Sequence, residues 1–423
     1  MNWDFLIKDK DSLCVSTDTR HLPAGCVFFA LHGERFDGNK FALQALEQGA
    51  SLAVIDAPEV YLQAQRSSSP QGNLQGAANL PRLLLVEDTL LALQDLARAW
   101  RRELGLPIIG ITGTNGKTTT KELLATVLST KYNLHYTQGN LNNQIGVPLT
   151  LLQITRAHEI AIVEMGASHP GDIKELVDIA EPNYGLITNV GRAHLEGFGS
   201  FEGVQRTKQE LYDYLVAHNG TIFRNADNPY LMRMHENALA FRLSPLASSP
   251  ITYTTGSMPS GTHLVGEYNA ENVSAAICVG EYFGISREQA LEAIRQYVPT
   301  NNRSQSMQTA SNQLIVDAYN ANPTSMQAAI NAFKGDTYIL GAMRELGDYS
   351  HLEHQNIVNM LAERKAENVF LVGEEYLQTT SPYPVFENVE QLHKYLEDNP
   401  IKGKHILLKG SRSTRMEKLL DVL

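Results

Sequence analysis

Gly110-Ile111-Thr112-Gly113-Thr114-Asn115-Gly116-Lys117-Thr118 decides how the middle of this chain folds. Before it runs the apolar stretch 108–112, of buried-strand type, and after it comes a helical pattern over 118–129. Glycines between a strand and a helix let backbone N–H groups converge on phosphate oxygens, and the helix N-terminus adds partial positive charge. Lys117 would reach the β- and γ-phosphates of ATP, and the Thr118 hydroxyl would ligate Mg²⁺. Gly113, Thr114, Asn115, Gly116 and Thr119 complete the expected ATP-binding loop. The strict G-x-x-x-x-G-K-[ST] spacing is not met, because Ile111 stands where it asks for glycine. A tight turn with a solvated lysine is the plain alternative. Gly-Lys-Thr directly after a buried strand outweighs it.

Downstream, strands over 160–163 and 185–190 alternate with helices over 172–179 and 201–217. That alternation implies a parallel sheet wrapped by helices. Glu164 closes the first of these strands and His194 follows the second. Strand C-termini line the ligand crevice of an open parallel sheet, so Thr118, Glu164 and His194 can converge there. Hard oxygen ligands suit Mg²⁺. A carboxylate at a strand end is often only solvated, and a lone histidine is more often structural. Their shared placement beside the loop favours a site.

Helices over 269–283 and 286–297 follow, the second with Ser286 and Gln289 spaced for a capping box. Val298-Pro299-Thr300 reads as a hinge. Beyond it, strands over 314–316, 338–340, 369–372 and 406–408 alternate with helices over 325–333, 354–365, 389–397 and 416–423, a separate Rossmann-like domain. Upstream of the loop, strands over 27–31, 52–55 and 83–86 with helices over 41–49 and 89–104 make a small α/β unit. A Ser/Gln/Gly/Asn-rich stretch over 67–79 reads as a loop. The expected class is α/β with three domains: 1–85, a central P-loop domain with a parallel sheet over 86–299, and 300–423.

The 423 residues, 43% apolar and 19% charged, fit a folded protein of several domains. A net charge of −11 argues against general nucleic-acid binding. No basic run suggests an anionic membrane surface, and no apolar run is long enough to cross a bilayer. Met1-Asn2-Trp3-Asp4-Phe5 lacks the regions of a signal peptide. Cys14, Cys26 and Cys278 are an odd, sparse set without metal-site spacing. They read as small buried apolar residues in a reducing compartment, with no disulfide framework. The expectation is a cytoplasmic protein, a monomer by default.

Taken together, the motifs resemble the Mur ligases of bacterial cell-wall synthesis over nearly the whole chain. The central stretches are 110–120, Gly139-Asn140-Leu141-Asn142-Asn143-Gln144-Ile145-Gly146, Glu164-Met165-Gly166-Ala167, Thr188-Asn189-Val190-Gly191-Arg192-Ala193-His194 and Lys208-Gln209-Glu210-Leu211. The flanking stretches are Ser16-Thr17-Asp18-Thr19-Arg20, Gly33-Glu34-Arg35-Phe36-Asp37-Gly38, Asp317-Ala318-Tyr319-Asn320-Ala321-Asn322, Gly341-Ala342-Met343-Arg344-Glu345-Leu346-Gly347 and Lys409-Gly410-Ser411-Arg412. They resemble the family member that joins D-alanyl-D-alanine to UDP-MurNAc-tripeptide.

The resemblance implies that ATP phosphorylates the terminal carboxylate of the UDP-linked tripeptide, and that the dipeptide amine attacks the acyl phosphate. A carboxylate is a poor electrophile, whereas its mixed anhydride with phosphate has a good leaving group. By position, Thr118 and Glu164 would hold one Mg²⁺ and His194 a second. Lys208 looks like the lysine that family members carbamylate, which could then help bind that second ion; an exposed helix lysine is its plain alternative. Lys117, His194 and Lys208 are the expected catalytic residues. Asn269 and Asn272 would read the adenine, with helix capping as the alternative or a second role. Arg303, Asp317 and Asn320 would meet the nucleotide from the C-terminal domain. Tyr319, Asn322, Lys409, Ser411 and Arg412, with Asn140 and Asn143, would shape the dipeptide and acyl-phosphate side. Ser16, Arg20, Asp37 and Gly38 would hold the uridine diphosphate end. Tyr268, Val316, Ala342 and Asn39 depart from the family's usual residues.

Three other readings fit the sequence less well. A sister ligase adding the third residue lacks its Asp-Asn-Pro-Arg here; Asp227-Asn228-Pro229 runs into Tyr230 in the central domain. Folylpolyglutamate synthase carries its phosphate loop near the N-terminus, whereas here about a quarter of the chain precedes Gly110. A nucleotide-binding protein without ligase activity would be free to lose Lys117, Thr118, Glu164, His194 or Lys208, and all are present.

Overall fold

The structure, a computed structural model, describes residues 1–34, 36–67, 82–240, 249–300 and 303–423. Most of the expected 67–79 loop, and Arg35 of the motif over 33–38, lie outside the described residues. The chain forms two compact units: Met1–Gly110 with Tyr132–Met165 and Glu175–Asn183, and Ile111–Lys131 with Gly166–Lys174 and Tyr184–Leu423.

In the first unit the strands Val15–Ser16, Val27–Phe29, Leu52–Ile55 and Leu83–Leu85 pair in that order, all parallel. Phe28, Ala30, Ala42, Ala45, Ala53 and Ile55 fill its core. The helix Thr89–Leu104 starts on Asp88, whose carboxylate accepts from Leu91 N at 2.8 Å, and stops at Gly105, φ 65°. Both devices satisfy backbone groups that a helix end leaves open. One expectation is overturned here. Cys14 and Cys26 form a disulfide. Val15 pairs with Val27 across parallel strands, so the residues just before them lie side by side, with Cα atoms 4.5 Å apart. The separation of 12 residues contains no sign of that register.

A six-stranded sheet carries the loop, in the order Ile251–Tyr253, Thr221–Asn225, Tyr184–Ile187, Ile108–Thr112, Ile160–Glu164 and Leu134–Tyr136. The strands at 108–112, 160–164 and 184–187 follow the expected apolar runs; the buried internal strand Thr221–Asn225 and the short edge strands Ile251–Tyr253 and Leu134–Tyr136 were not expected. The last expected helix, over 416–423, is also corrected: only the 3₁₀ turn Met416–Leu419 forms. Met416, Leu419 and Leu423 are buried against the C-terminal sheet, so tertiary packing replaces the helix.

That sheet has the order Gln305–Gln308, Gln313–Asp317, His405–Lys409, Thr337–Gly341, Asn368–Val372 and Val385–Phe386. Its first pair is antiparallel and the rest are parallel. Apolar clusters cover both faces, as a doubly wound sheet requires. Asp317 and Lys409 end adjacent strands in direct register.

Candidate active site

The loop over 113–116 is held by the segment after the strand Tyr184–Ile187. Thr114 N donates to Asn189 O and Asn115 N to Asn189 Oδ1, both at 3.0 Å. Thr188 Oγ1 and Asn189 Nδ2 donate to Asn115 O at 2.6 and 3.1 Å. Gly113 has φ 143°, and a Cβ there would lie 2.0 Å from Thr188 Oγ1, so no side chain fits. Gly116, φ 79°, caps the helix Lys117–Leu128. Lys117 Nζ donates to Gly113 O and Thr114 O at 2.8 and 3.1 Å, which folds the ammonium over the loop. Thr118 is buried in the first turn. Thr188 and Asn189 carry this clamp. They stand in the quoted motif, yet only the strand register reveals their task.

Asn272 Oδ1 accepts from Thr120 Oγ1 at 3.0 Å, and Asn272 Nδ2 donates to Asn269 Oδ1 at 2.9 Å. Asn269 Nδ2 donates to Val265 O at 2.8 Å. These amides tie the helix Asn269–Tyr282 to the loop helix. The capping alternative fails, since Tyr268 is the N-cap and no side chain caps there.

His194 has φ 50° and caps the short helix Leu195–Phe198. The Glu345 carboxylate lies against its Nδ1. Lys208 is 2% exposed, which overturns the exposed-lysine alternative. Burial first, then the Lys117 cation, push its ammonium well below the ordinary lysine range, against a smaller pull from Asp172 and Glu210. The Phe198 ring lies 5.6 Å from Lys208 Nζ and packs edge-on to His194. Glu210 accepts from Gly171 N and Lys174 N at 3.0 and 2.8 Å, anchoring the start of the helix Asp172–Ala180.

Beyond residue 300, Arg303 stacks on the Tyr319 ring at 3.9 Å and Arg412 approaches it at 5.6 Å. This brings three expected site residues together as a cationic stack. Lys409 is 1% exposed. Its Nζ meets Asp317 Oδ2 at 2.5 Å and donates to Asn320 O at 3.2 Å. Asn320 Oδ1 accepts from Ala321 N. Ser411 is buried, and its carbonyl accepts from Thr414 Oγ1 at 2.6 Å. Asn322 caps the helix Pro323–Ala332 in a capping box with Ser325. Its Nδ2 also donates to Asn115 Oδ1 at 2.8 Å, joining the phosphate loop to the C-terminal sheet's first helix. Arg192 Nη1 pairs with buried Glu353 at 3.0 Å across the same seam.

In the first unit, Glu164 ends its strand 2% exposed and accepts from Asn142 Nδ2 at 2.9 Å. Asn143 Oδ1 accepts from Gly146 N at 2.8 Å, at the start of the helix Gly146–Leu152, and Asn140 is exposed. Ser16 Oγ donates to Asp18 O, and exposed Arg20 clasps the Asp18 carboxylate, which its hydrogen bonds hold down to about pKa 2. Asp37 accepts from Asn39 N at 3.1 Å. A Cβ on Gly38 would lie 2.5 Å from Leu31 O. Thr118 and Glu164 carry oxygen donors of the kind Mg²⁺ takes, but among the described residues no three His, Cys, Asp or Glu side chains gather to hold a metal ion, so such an ion would draw most of its ligands from phosphate oxygens and water.

Family models described as "Mur ligase family, catalytic domain", "Mur ligase middle domain" and "Mur ligase, glutamate ligase domain" match residues 14–101, 111–244 and 302–412. The UDP-N-acetylmuramoyl-tripeptide–D-alanyl-D-alanine ligase of Bacillus subtilis is 35% identical over 97% of this chain and 92% of its own length. The chain belongs to the Mur ligase family. The Escherichia coli protein of that name is 33% identical, over 97% of this chain and 93% of its own length. Among solved structures, MurF from Thermotoga maritima in complex with ADP aligns over 98% of both chains, with 26% identity and a TM-score of 0.80. MurF from Acinetobacter baumannii aligns over 96% of this chain and 92% of its own, with 29% identity and a TM-score of 0.78.

This Mur ligase carries its departures inside packed surroundings. Val316 and Ala342 are fully buried in the two cores of the C-terminal sheet. Tyr268 Oη and Ser304 Oγ are hydrogen-bonded at 2.6 Å, and Ser304 N donates to Asp317 Oδ1 at 3.3 Å. Asn39 Nδ2 bridges Asp56 and Asp37 at 2.7 and 3.2 Å.

Proposed function

We propose that this Mur ligase joins D-alanyl-D-alanine to UDP-MurNAc-tripeptide, using ATP, in the synthesis of peptidoglycan precursors. The observation that carries the reading is the loop over 113–118, clamped by Thr188 and Asn189 and joined by Asn322 to the segment that bears Asp317 and Lys409. Three parts, 1–85, 86–299 and 300–423, divide the work between uridine nucleotide, ATP and dipeptide. The enzyme works as a cytoplasmic monomer, in keeping with soluble, nucleotide-linked substrates.

In the first step a carboxylate oxygen of the tripeptide bonds to the γ-phosphorus and ADP leaves. In the second the dipeptide amine bonds to the acyl carbon, loses a proton, and phosphate leaves. The backbone amides over 113–118 and Lys117 hold the phosphates and spread their charge. Arg303 and Arg412, stacked on Tyr319, offer cations from the other side. Holding both anionic substrates in line supplies much of the rate. Thr118 and Glu164 are the proposed ligands of one Mg²⁺, and His194 and carbamylated Lys208 of a second; bound there, the ions would neutralise phosphoryl charge. For Lys208, burial favours the neutral amine, whose nitrogen bonds to CO₂ carbon and releases a proton, turning a neutral amine into a carbamate anion.

The test is phosphate release from ATP with UDP-MurNAc-tripeptide and D-Ala-D-Ala added singly and together. Release only with both supports the reading. Release with the tripeptide and a single amino acid moves it to a sister ligase. Lys117→Ala is expected to lower turnover by roughly 10²-fold or more. Lys208→Ala is expected to lose activity and to regain part of it with short carboxylic acids; full activity without them removes the carbamate.

A further inference from the structure

Two residues of the second unit meet with left-handed backbones. His194, φ 50°, caps the helix Leu195–Phe198, and Glu345, φ 61°, lies between the strand Thr337–Gly341 and the helix Ser350–Glu363. Neither is a glycine or asparagine, the residues that take this conformation most readily. Such backbone costs free energy and persists where surrounding structure holds it, most often at functional sites. Here the hold is visible. Glu196 N donates to Glu345 O at 3.5 Å, and Gly347 packs on the Glu196 side chain. The Glu345 carboxylate lies against His194 Nδ1. The opposite side of the matter is Phe198, whose ring touches His194 and also underlies Lys208.

A neutral imidazole carries one N–H and one lone pair, and the nitrogen that faces a carboxylate keeps the proton. The other nitrogen is then free for a metal, and such outer carboxylates commonly orient metal-binding histidines. We propose that Glu345 is a positioning residue for His194: its carboxylate keeps the proton on Nδ1, so that Nε2 offers its lone pair to the second ion. The inference rests on the reading of His194 as a ligand of that ion. It also assigns a task to the Ala342-to-Gly347 connection. Glu345 belongs to the segment past the hinge and His194 to the segment before it, so the histidine is oriented when the two are joined. The Asn115–Asn322 and Arg192–Glu353 pairs join the same segments.

The experiment uses the full chain with ¹⁵N-labelled histidine rings, at about pH 8.5, where an ordinary imidazole is neutral. Long-range ¹H–¹⁵N spectra report the tautomer, and loss of one signal set in His194→Gln assigns it. The wild type is expected to show His194 protonated at Nδ1. Glu345→Ala is expected to move it toward the Nε2–H form, and Glu345→Gln, whose carbonyl still accepts from Nδ1–H, to keep most of the wild-type signature. A wild-type ring protonated at Nε2, or a tautomer unchanged in Glu345→Ala, overturns the proposal. In parallel, Mn²⁺ binding is read by electron paramagnetic resonance with a non-hydrolysable ATP analogue. Affinity for a second ion is expected to fall about 10-fold or more in Glu345→Ala, with the first unchanged. A wild type that binds a single ion while its tautomer answers to Glu345 overturns the second-ion reading instead, and the two failures are told apart.

Discussion

Lys409 shows how one side chain's task depends on its register. It lies directly opposite Asp317 at the ends of adjacent strands, and its ammonium is closed in by that carboxylate and by Asn320 O. Removing one member of a buried ion pair strands the other charge. Lys409→Met is therefore expected to destabilise the protein by about 3 kcal/mol in urea unfolding. Adding Asp317→Asn is expected to recover part of that loss; an unaltered midpoint in Lys409→Met would mean that Asp317 is well solvated. The loop residues, Lys117 and Thr118 among them, could be read from the sequence because the glycine pattern states the backbone's job. Thr188, Asn189 and Glu345 could not, because their work is defined by what stands opposite them.

Among the elements, the helix Pro323–Ala332 separates two roles of one residue. Asn322 caps it and also holds Asn115. Asn322→Ser keeps a good cap and loses the amide pair, so melting should stay close to wild type while affinity for an ATP analogue falls. Asn322→Ala loses both and should cost about 1 kcal/mol of stability as well. A second case is the strand Thr221–Asn225 against the helix Pro229–Ala240. Arg224 Nη1 meets His235 Nδ1 at 2.8 Å, and burial first, then that cation, lower the His235 pKa to about 4. Unfolded, the ring takes a proton near pH 6.5. Its contribution is therefore fully present above pH 6.5 and is lost as the pH falls toward 4. Calorimetry of His235→Gln between these values should show a shallower acid loss than the wild type; an equal slope would place the protons elsewhere.

At the scale of the molecule, the two compact units imply more than one unfolding transition. A ligand stabilises the unit that binds it, by about 2.7 kcal/mol at one hundred times its dissociation constant. An ATP analogue is expected to raise the transition of the unit bearing Lys117 and Thr118, and a uridine diphosphate sugar that of the unit bearing Ser16 and Asp37. Lys117→Ala should abolish the first shift and leave the second. A single transition raised by both ligands would show that the units unfold together.

The sequence by itself determined the α/β class, the strand–loop–helix at Gly110–Thr118 and, Thr221–Asn225 excepted, the long buried strands of both large sheets, because glycine placement and apolar runs are local signals. It also determined the Mur ligase resemblance, through motifs spread over the chain. Tertiary structure alone decided the Cys14–Cys26 pairing, the 3₁₀ turn at Met416–Leu419 and the burial of Lys208 and Lys409. It also decided the meeting of Arg303, Tyr319 and Arg412. These follow from which strands lie side by side and which faces are covered, and a register between distant strands leaves no mark in the order of residues along either one.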